Sequence, residues 1–236
     1  MAATVAGLAA LAHLAEIRAT VDALIAEREL ARHPGSAIIY NLISSRTVPE
    51  VVEQAGGVAV RSRVGHSFIK ADMAAHDAVF GGEHSGHFYF RDFWKADSGI
   101  LAALHLLAAL GQTASGTALS EVLAPYIRWH RSGEINSEVA DVPATLDRIR
   151  QAYGSQDAVA LDELDGLTVQ AADWWFNVRP SNTEPLLRLN AEGRDTGRYV
   201  NPPDAGYRRV SYDKDTHNPP RQVSNQIVWS YAAVNS

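Results

Sequence analysis

The sequence predicts an α/β fold, a mixed and mostly parallel sheet with flanking helices, followed by a small α+β domain. In the first half of the chain, short apolar segments rich in β-branched residues alternate with segments of helical periodicity. Pro and Gly residues separate these segments, as the turns between strands and helices require. From about residue 131 onward, several strand-like segments surround a single helical one.

The first half of the chain opens with two predicted helices. The Ala- and Leu-rich segment from Met1 to Leu14 predicts an amphipathic helix, and a second helix from Ala19 to Arg32 ends at His33-Pro34-Gly35. Strands are then predicted at 36–43, 58–64 and 78–80, and helices around 51–55 and at 68–75 and 98–110. Because helices follow the strands in alternation, the strands are expected to run mostly parallel.

A domain boundary is predicted near Arg131, where the pattern changes. Beyond it, strands are predicted at 134–140, 167–170, 174–178 and 186–191, with a helix at 144–153 and a polar turn at 179–185. After Gly193, paired prolines and scattered polar residues predict irregular or poorly ordered chain. The predicted division is an N-terminal helical extension at 1–20, an α/β domain at 21–131, an α+β domain at 132–193 and a tail at 194–236.

Composition and charge exclude several classes of protein. The chain carries a formal net charge of -6 from interspersed acidic and basic residues, so no basic stripe is available for a nucleic-acid backbone. Cysteine is absent, which excludes disulfides and thiolate metal sites and fits a reducing compartment, with the cytoplasm as the expected location. The apolar start lacks a cationic region and falls short of the about 20 apolar residues that span a bilayer, so neither a signal peptide nor membrane association is predicted.

The turn from Arg179 to Arg188 has the composition of a phosphate-binding loop. Guanidinium groups present planar forks of donors to phosphate oxygens, and hydroxyl, amide and turn backbone groups add further donors. The candidate phosphate-binding residues are Arg179, Ser181, Asn182, Thr183 and Arg188. The alternative is a surface turn in which Arg179 pairs with Glu184 and the small polar residues satisfy their own backbone.

A second polar loop, 81–87, follows a predicted strand end, where ligand-binding loops of α/β sheets usually lie. Glu83 offers a pair of acceptors that matches two neighbouring sugar hydroxyls, while Ser85 and His87 can donate or accept. A solvated turn remains an alternative, as does a metal site built from His84, His87 and His76. The spacing of these histidines does not match that of known zinc motifs.

A third segment places His66 and Lys70 at a helix start, where backbone amides and both side chains could face an anion. A basic helix start on its own is more often simply solvated. Its position shortly before the 81–87 loop is what makes these two residues candidates for substrate binding.

Together, the three segments resemble the phosphohexomutases, the family of phosphomannomutase, phosphoglucomutase and phosphoglucosamine mutase. The resemblance runs from about Val21 to Glu192 and covers the family's third domain and most of its fourth. It implies hexose phosphates as ligands, with Glu83, Ser85, His87, His66 and Lys70 on the sugar and Arg179, Ser181, Asn182, Thr183 and Arg188 on the phosphate. The residue types at His84 and Asn182 resemble those of the family's mannose and glucose branch, and we favour mannose as the sugar.

The resemblance also implies chemistry that the chain lacks. The family transfers phosphate from an active-site phosphoserine through a hexose 1,6-bisphosphate intermediate, with Mg²⁺ bound by an Asp-rich loop. Neither the Asp-Gly-Asp-x-Asp-Arg loop nor the phosphoserine motif occurs in this sequence, so no catalytic or metal-binding residue is assigned. We therefore expect a chain that binds without turnover unless an N-terminal half is supplied as partner. The alternatives are a non-catalytic phosphosugar-binding module and a metal-dependent hydrolase using Glu83, His84 and His87.

Overall fold

The computed structural model describes residues 18–139, 141–181 and 186–194 of the protein. The chain divides into two compact units, Met1–Arg128 and Trp129–Ser236. The helix predicted near Met1 and most of the tail predicted to be irregular lie outside the described residues.

The first unit is an α/β layer built on a five-stranded sheet. Its strands are β1 (Ala37–Asn41), β2 (Val58–Ser62), β3 (Phe80–Gly82), β4 (Phe88–Phe90) and β5 (Ala96–Asp97). Its helices are α1 (described over 18–32), α2 (Thr47–Gln54), α3 (His66–Ala75), α4 (Gly99–Gly111) and α5 (Leu119–Leu123). The strand order is β2-β1-β3-β4-β5. Strand β1 pairs parallel with β2 and β3, whereas β4 pairs antiparallel with β3 and β5 antiparallel with β4.

The sheet of this unit is covered on both faces. Ile38 and Ile39 are successive residues of β1 and are both fully buried, and they belong to two separate apolar clusters. Neighbouring side chains of a strand point to opposite faces, so each cluster fills one face. Buried residues of α1 and α2 contribute to the first cluster, while Ile69 and Met73 of α3 fill the second. The predicted α/β class with a mixed, mostly parallel sheet is confirmed for this unit.

Two short strands, β4 and β5, were not predicted from the sequence. The segment Phe88–Phe90 is fully buried and pairs antiparallel with β3. Three residues are too few to show a period of two, so the pattern carries no strand signal there. The third strand also lies at Phe80–Gly82 rather than at 78–80, which places the two glycines inside the sheet.

The described residues of the second unit form an antiparallel sheet and one helix, α6 (Val142–Gly154). Its strands are β6 (His130–Glu138), β7 (Ala160–Asp162), β8 (Leu167–Gln170), β9 (Trp174–Pro180) and β10 (Leu186–Gly193). The strand order is β6-β10-β9-β8-β7. Tyr153 of α6 packs edge-on against Phe176 of β9, with ring centroids 5.2 Å apart, and joins Leu167 and Val169 in the core. The predicted α+β class is confirmed, although β7 was not predicted.

Among the residues that the structure describes, no helix is long and apolar enough to cross a membrane.

Candidate functional site

The loop of the first unit begins where β3 ends. The amide of Glu83 donates to the carbonyl of His87 (3.0 Å), and the amide of Gly86 donates to the carbonyl of Glu83 (2.8 Å). Gly86 has φ +88°, a left-handed conformation that glycine adopts without steric cost. The amide of His84 donates to Oδ1 of Asn41, 3.4 Å away at the end of β1. The loop therefore lies at the carboxyl end of two parallel strands, where α/β sheets bind ligands.

Glu83 is buried, with 3% of its surface exposed, and its carboxylate has defined partners. The hydroxyl of Tyr89 donates to Oε1 over 2.6 Å, and the hydroxyl of Ser85 lies 3.5 Å from Oε2. Burial and the neighbouring carboxylate raise the pKa of the Tyr89 hydroxyl above its ordinary value, so it stays a donor. Oε2, whose contact with Ser85 is longer, is the oxygen better placed to accept from a ligand hydroxyl.

His87 is held by Asp97 of β5. Nδ1 of His87 lies 2.6 Å from Oδ2 of Asp97, and the amide of Phe88 donates to Oδ1 of the same carboxylate over 2.9 Å. The imidazole is half-exposed. Nε2 is the ring nitrogen that this interaction leaves for a ligand.

Helix α3 supplies the predicted cation of this site. Nζ of Lys70 lies 6.0 Å from the ring centroid of Tyr89, within reach of a cation–π contact. Tyr89 thus contacts both Lys70 and Glu83, which brings two of the predicted residues to one side chain. His66 is the first residue of α3 and is exposed.

A metal centre was the alternative for this loop. Within the part of the chain that the structure describes, no group of three or more His, Cys, Asp or Glu side chains lies so as to hold a metal ion. No metal chemistry is therefore assigned to the described residues.

The second unit carries the paired arginines. Arg179 of β9 and Arg188 of β10 lie directly opposite each other, and both approach the carboxylate of Glu134 on β6. The nitrogen–oxygen distances are 3.5 Å from Arg179 and 3.4 Å from Arg188. Nη2 of Arg188 also donates to the hydroxyl of Ser181 over 3.2 Å. Two guanidinium groups approach one carboxylate here, and their planar forks of donors have the geometry that suits an oxyanion.

Ser181 closes the hairpin, because its amide donates to the carbonyl of Leu186 over 2.8 Å. The other two predicted phosphate-binding residues, Asn182 and Thr183, lie outside the described residues. The described members of the predicted set, Arg179, Ser181 and Arg188, lie together at one end of the hairpin.

The structure brings three residues that were not predicted from the sequence into contact with the predicted ones: Tyr89, Asp97 and Glu134. Asp97 and Tyr89 are paired residues of β5 and β4, and Glu134 reaches the arginines through the pairing of β6 with β10. Strand register brings each of them to its contacts, and this register depends on tertiary pairing that the pattern of a single strand does not give.

These features define a class of protein: an α/β/α unit with a polar strand-end loop, followed by an α+β unit with an arginine-rich hairpin. Residues 6–128 match the family model for the phosphoglucomutase/phosphomannomutase alpha/beta/alpha domain III. Residues 134–199 match the model for the phosphoglucomutase/phosphomannomutase C-terminal domain. The chain belongs to the phosphoglucomutase/phosphomannomutase family, and the resemblance seen in the sequence is confirmed.

Individual relatives agree with this assignment. A phosphomannomutase of Methanocaldococcus jannaschii is 42% identical over 175 residues, which are 74% of this chain and 38% of that protein. A phosphomannomutase of Escherichia coli K12 is 42% identical over 72% of this chain and 37% of its own length. The crystal structure of a phosphoglucomutase/phosphomannomutase family protein from Burkholderia thailandensis has a TM-score of 0.66 at 30% identity and covers 75% of this chain and 37% of its own. The chain therefore spans little more than a third of the length of these relatives.

Proposed function

We propose that this chain is the hexose-phosphate-binding part of a phosphomannomutase-type phosphohexomutase, an isomerase that transfers phosphate within mannose 6-phosphate and mannose 1-phosphate. The 83–87 loop binds sugar hydroxyls and the hairpin between β9 and β10 binds a phosphate group. The names of the relatives, phosphomannomutase, favour mannose over glucose.

The pairing of Arg179 with Arg188 is the observation that carries this proposal. Like charges placed directly opposite on neighbouring strands repel each other, and both guanidinium groups here approach the carboxylate of Glu134. A phosphate dianion that accepts from both guanidinium groups removes the repulsion and gains charge-assisted hydrogen bonds. Ser181 adds a hydroxyl within reach of the same group.

The 83–87 loop supplies the complementary chemistry for a sugar. Glu83 and His87 present acceptor atoms to hydroxyls, Ser85 can donate or accept, and Lys70 adds a positive charge beside them. We retain the roles that the family resemblance implies for three further residues: phosphate binding for Asn182 and Thr183, and substrate binding for His66.

The rest of the family's chemistry is assigned to a partner. Phosphoserine and Mg²⁺ would come from an N-terminal half, with hexose 1,6-bisphosphate as the intermediate, so this chain alone binds its ligand without converting it. This chain's residues bind and orient the sugar and the phosphate. The proposed location is the cytoplasm, and neither nucleic acid nor membrane is a proposed partner.

Titration calorimetry with mannose 6-phosphate tests the proposal. Arg188→Ala is expected to weaken binding about thirtyfold or more, because one charge-assisted phosphate contact is lost. Arg150→Ala is the matched control, since Arg150 pairs with Asp147 and Glu163 elsewhere in the same unit. Equal affinities for the wild-type chain and Arg188→Ala would contradict the phosphate-binding role.

A non-catalytic binding module is the second candidate, favoured by the missing phosphoserine and Mg²⁺ motifs. Mixing this chain with the N-terminal half of a relative distinguishes the two. Conversion of mannose 1-phosphate to mannose 6-phosphate supports the mutase, whereas binding without conversion in the mixture supports the module.

A further inference from the structure

We propose that Asp97 is a positioning residue that fixes the tautomer of His87. In this arrangement the imidazole proton stays on Nδ1, and Nε2 accepts a hydrogen bond from a ligand hydroxyl. The identity of the ligand, a hexose phosphate, rests on the proposed function. The role of Asp97 rests on the contacts within the first unit.

Both oxygens of Asp97 are engaged. Oδ2 lies 2.6 Å from Nδ1 of His87, and Oδ1 accepts from the amide of Phe88 over 2.9 Å. An ionised carboxylate can only accept hydrogen bonds, so Nδ1 must carry the proton. The second bond, to the backbone, prevents the carboxylate from rotating away from the ring. The nitrogen that carries the proton in a neutral histidine is set by such a partner.

The chain adopts a strained turn to bring Asp97 to this position. Trp94 and Lys95 are successive residues with φ +55° and +52°. This left-handed conformation is unfavourable for residues other than glycine. Burial of Trp94 does not offset this strain, since 85% of its surface is exposed. The turn leads directly into β5 and allows Asp97 to pair with Tyr89. Backbone strain of this kind clusters at positions where a functional group is held.

The fixed tautomer has a consequence for the ligand. Free imidazole in water favours the proton on Nε2, which would make His87 a donor toward the ligand. With the proton on Nδ1, both His87 and the carboxylate of Glu83 act as acceptors on the same loop. The loop then selects a ligand that donates at least two hydrogen bonds, as the hydroxyls of a carbohydrate do.

Nitrogen NMR of the ligand-free protein tests the proposal directly. The protein is labelled with ¹⁵N-histidine, and the signals of His87 are assigned by comparison with His87→Gln. At a pH where His87 is neutral, we expect the Nδ1–H pattern in the wild-type chain. In Asp97→Asn the side-chain amide oxygen should still accept the hydrogen bond from the Phe88 amide, and the NH₂ group should face the ring. Because this NH₂ group donates, Nδ1 must accept, and the proton should move to Nε2. Asp97→Glu, which retains a carboxylate, should restore the Nδ1–H pattern and provides a second variant if Asp97→Asn is poorly folded.

Binding of mannose 6-phosphate gives the functional readout. Asp97→Asn is expected to bind about tenfold more weakly than the wild-type chain, the effect of one lost hydrogen bond to the ligand. In a His87→Gln background the same change should have no further effect on affinity. An Nε2–H pattern in the wild-type chain, or an unchanged pattern in Asp97→Asn, would overturn the proposal. Since the NMR comparison uses no ligand, it decides the role of Asp97 even if hexose phosphates fail to bind and the proposed function falls.

Discussion

Arg179 and Arg188 are directly opposite each other across β9 and β10, and both guanidinium groups approach the same carboxylate, that of Glu134. Nitrogen–oxygen distances of 3.4 and 3.5 Å are longer than the about 2.8 Å of a strong charge-assisted hydrogen bond. The contacts of this carboxylate with the arginines are therefore weak ones, for which a phosphate group can compete.

The charge balance of this cluster gives a first prediction. Glu134→Gln should lower the free energy of unfolding by about 0.5–1 kcal/mol at low ionic strength, because the two like-charged arginines then lose the carboxylate that both approach. Inorganic phosphate should reduce this loss, since it replaces the missing negative charge. Urea unfolding with and without phosphate measures both effects. Glu138→Gln, an exposed position on the same strand, is the control and should show neither.

The hydroxyl of Tyr89 gives a second prediction. Tyr89→Phe removes the donor to the buried carboxylate of Glu83 and should lower the free energy of unfolding by about 1–3 kcal/mol. Tyr126→Phe removes a comparable hydroxyl whose partner, Glu27, is exposed, so its cost should stay below about 1 kcal/mol. Equal losses of unfolding free energy for the two variants, measured by denaturant unfolding, would contradict a larger cost at the buried carboxylate of Glu83.

Gly82 gives a third prediction, on the strand that leads into the loop. A Cβ at this position would lie 2.3 Å from Oδ1 of the fully buried Asp22. Gly82→Ala should therefore destabilise the first unit by about 1–3 kcal/mol or more, because overpacking forces the helix and strand apart. Gly111→Ala, with nothing within 4 Å of the added carbon, is the control. Thermal unfolding that is unchanged in Gly82→Ala would contradict this packing.

His105 gives a prediction for pH. Burial lowers its pKa below the ordinary value, and the carboxylate of Glu29, 3.5 Å from Nε2, opposes this effect only in part. The folded state then binds fewer protons than the unfolded state as the pH falls below about 6.5, so folding stability decreases there. His105→Gln should make the free energy of unfolding less dependent on pH in that range. A steeper dependence in the variant would mean that Glu29 outweighs burial.

The sequence indicates a large part of the first unit, and the reason lies in its pattern. Ala37 to Tyr40 form an apolar run next to a Pro-Gly break, and strands of this kind are buried on both faces and read without alternation. The segment Phe88–Phe90 offers no comparable signal, because three residues cannot show a period and their partner strand is also short. Its strand character follows from the tertiary pairing alone.

The residues of the candidate sites also fall into two groups, those that the sequence indicates and those that only strand pairing brings into place. Glu83 and Arg188 lie in loop and hairpin sequences whose composition already points to sugar and phosphate binding. Asp97 and Glu134 reach those residues through strand pairing, Tyr89 with Asp97 and Asn190 with Glu134. A one-residue change of register would move either carboxylate to the opposite face of its sheet. Their roles could not be predicted before the register was known.

Amide NMR of the ¹⁵N-labelled chain during titration with mannose 6-phosphate tests the central claim most directly. We expect saturable shifts in both the 83–87 loop and the hairpin around Arg179 and Arg188, and shifts in the hairpin alone with inorganic phosphate. Arg188→Ala should remove the hairpin shifts caused by phosphate, while Arg150→Ala should retain them. Shifts that spare both segments, or that persist unchanged in Arg188→Ala, would contradict the assignment of this chain as a hexose-phosphate-binding part of its family.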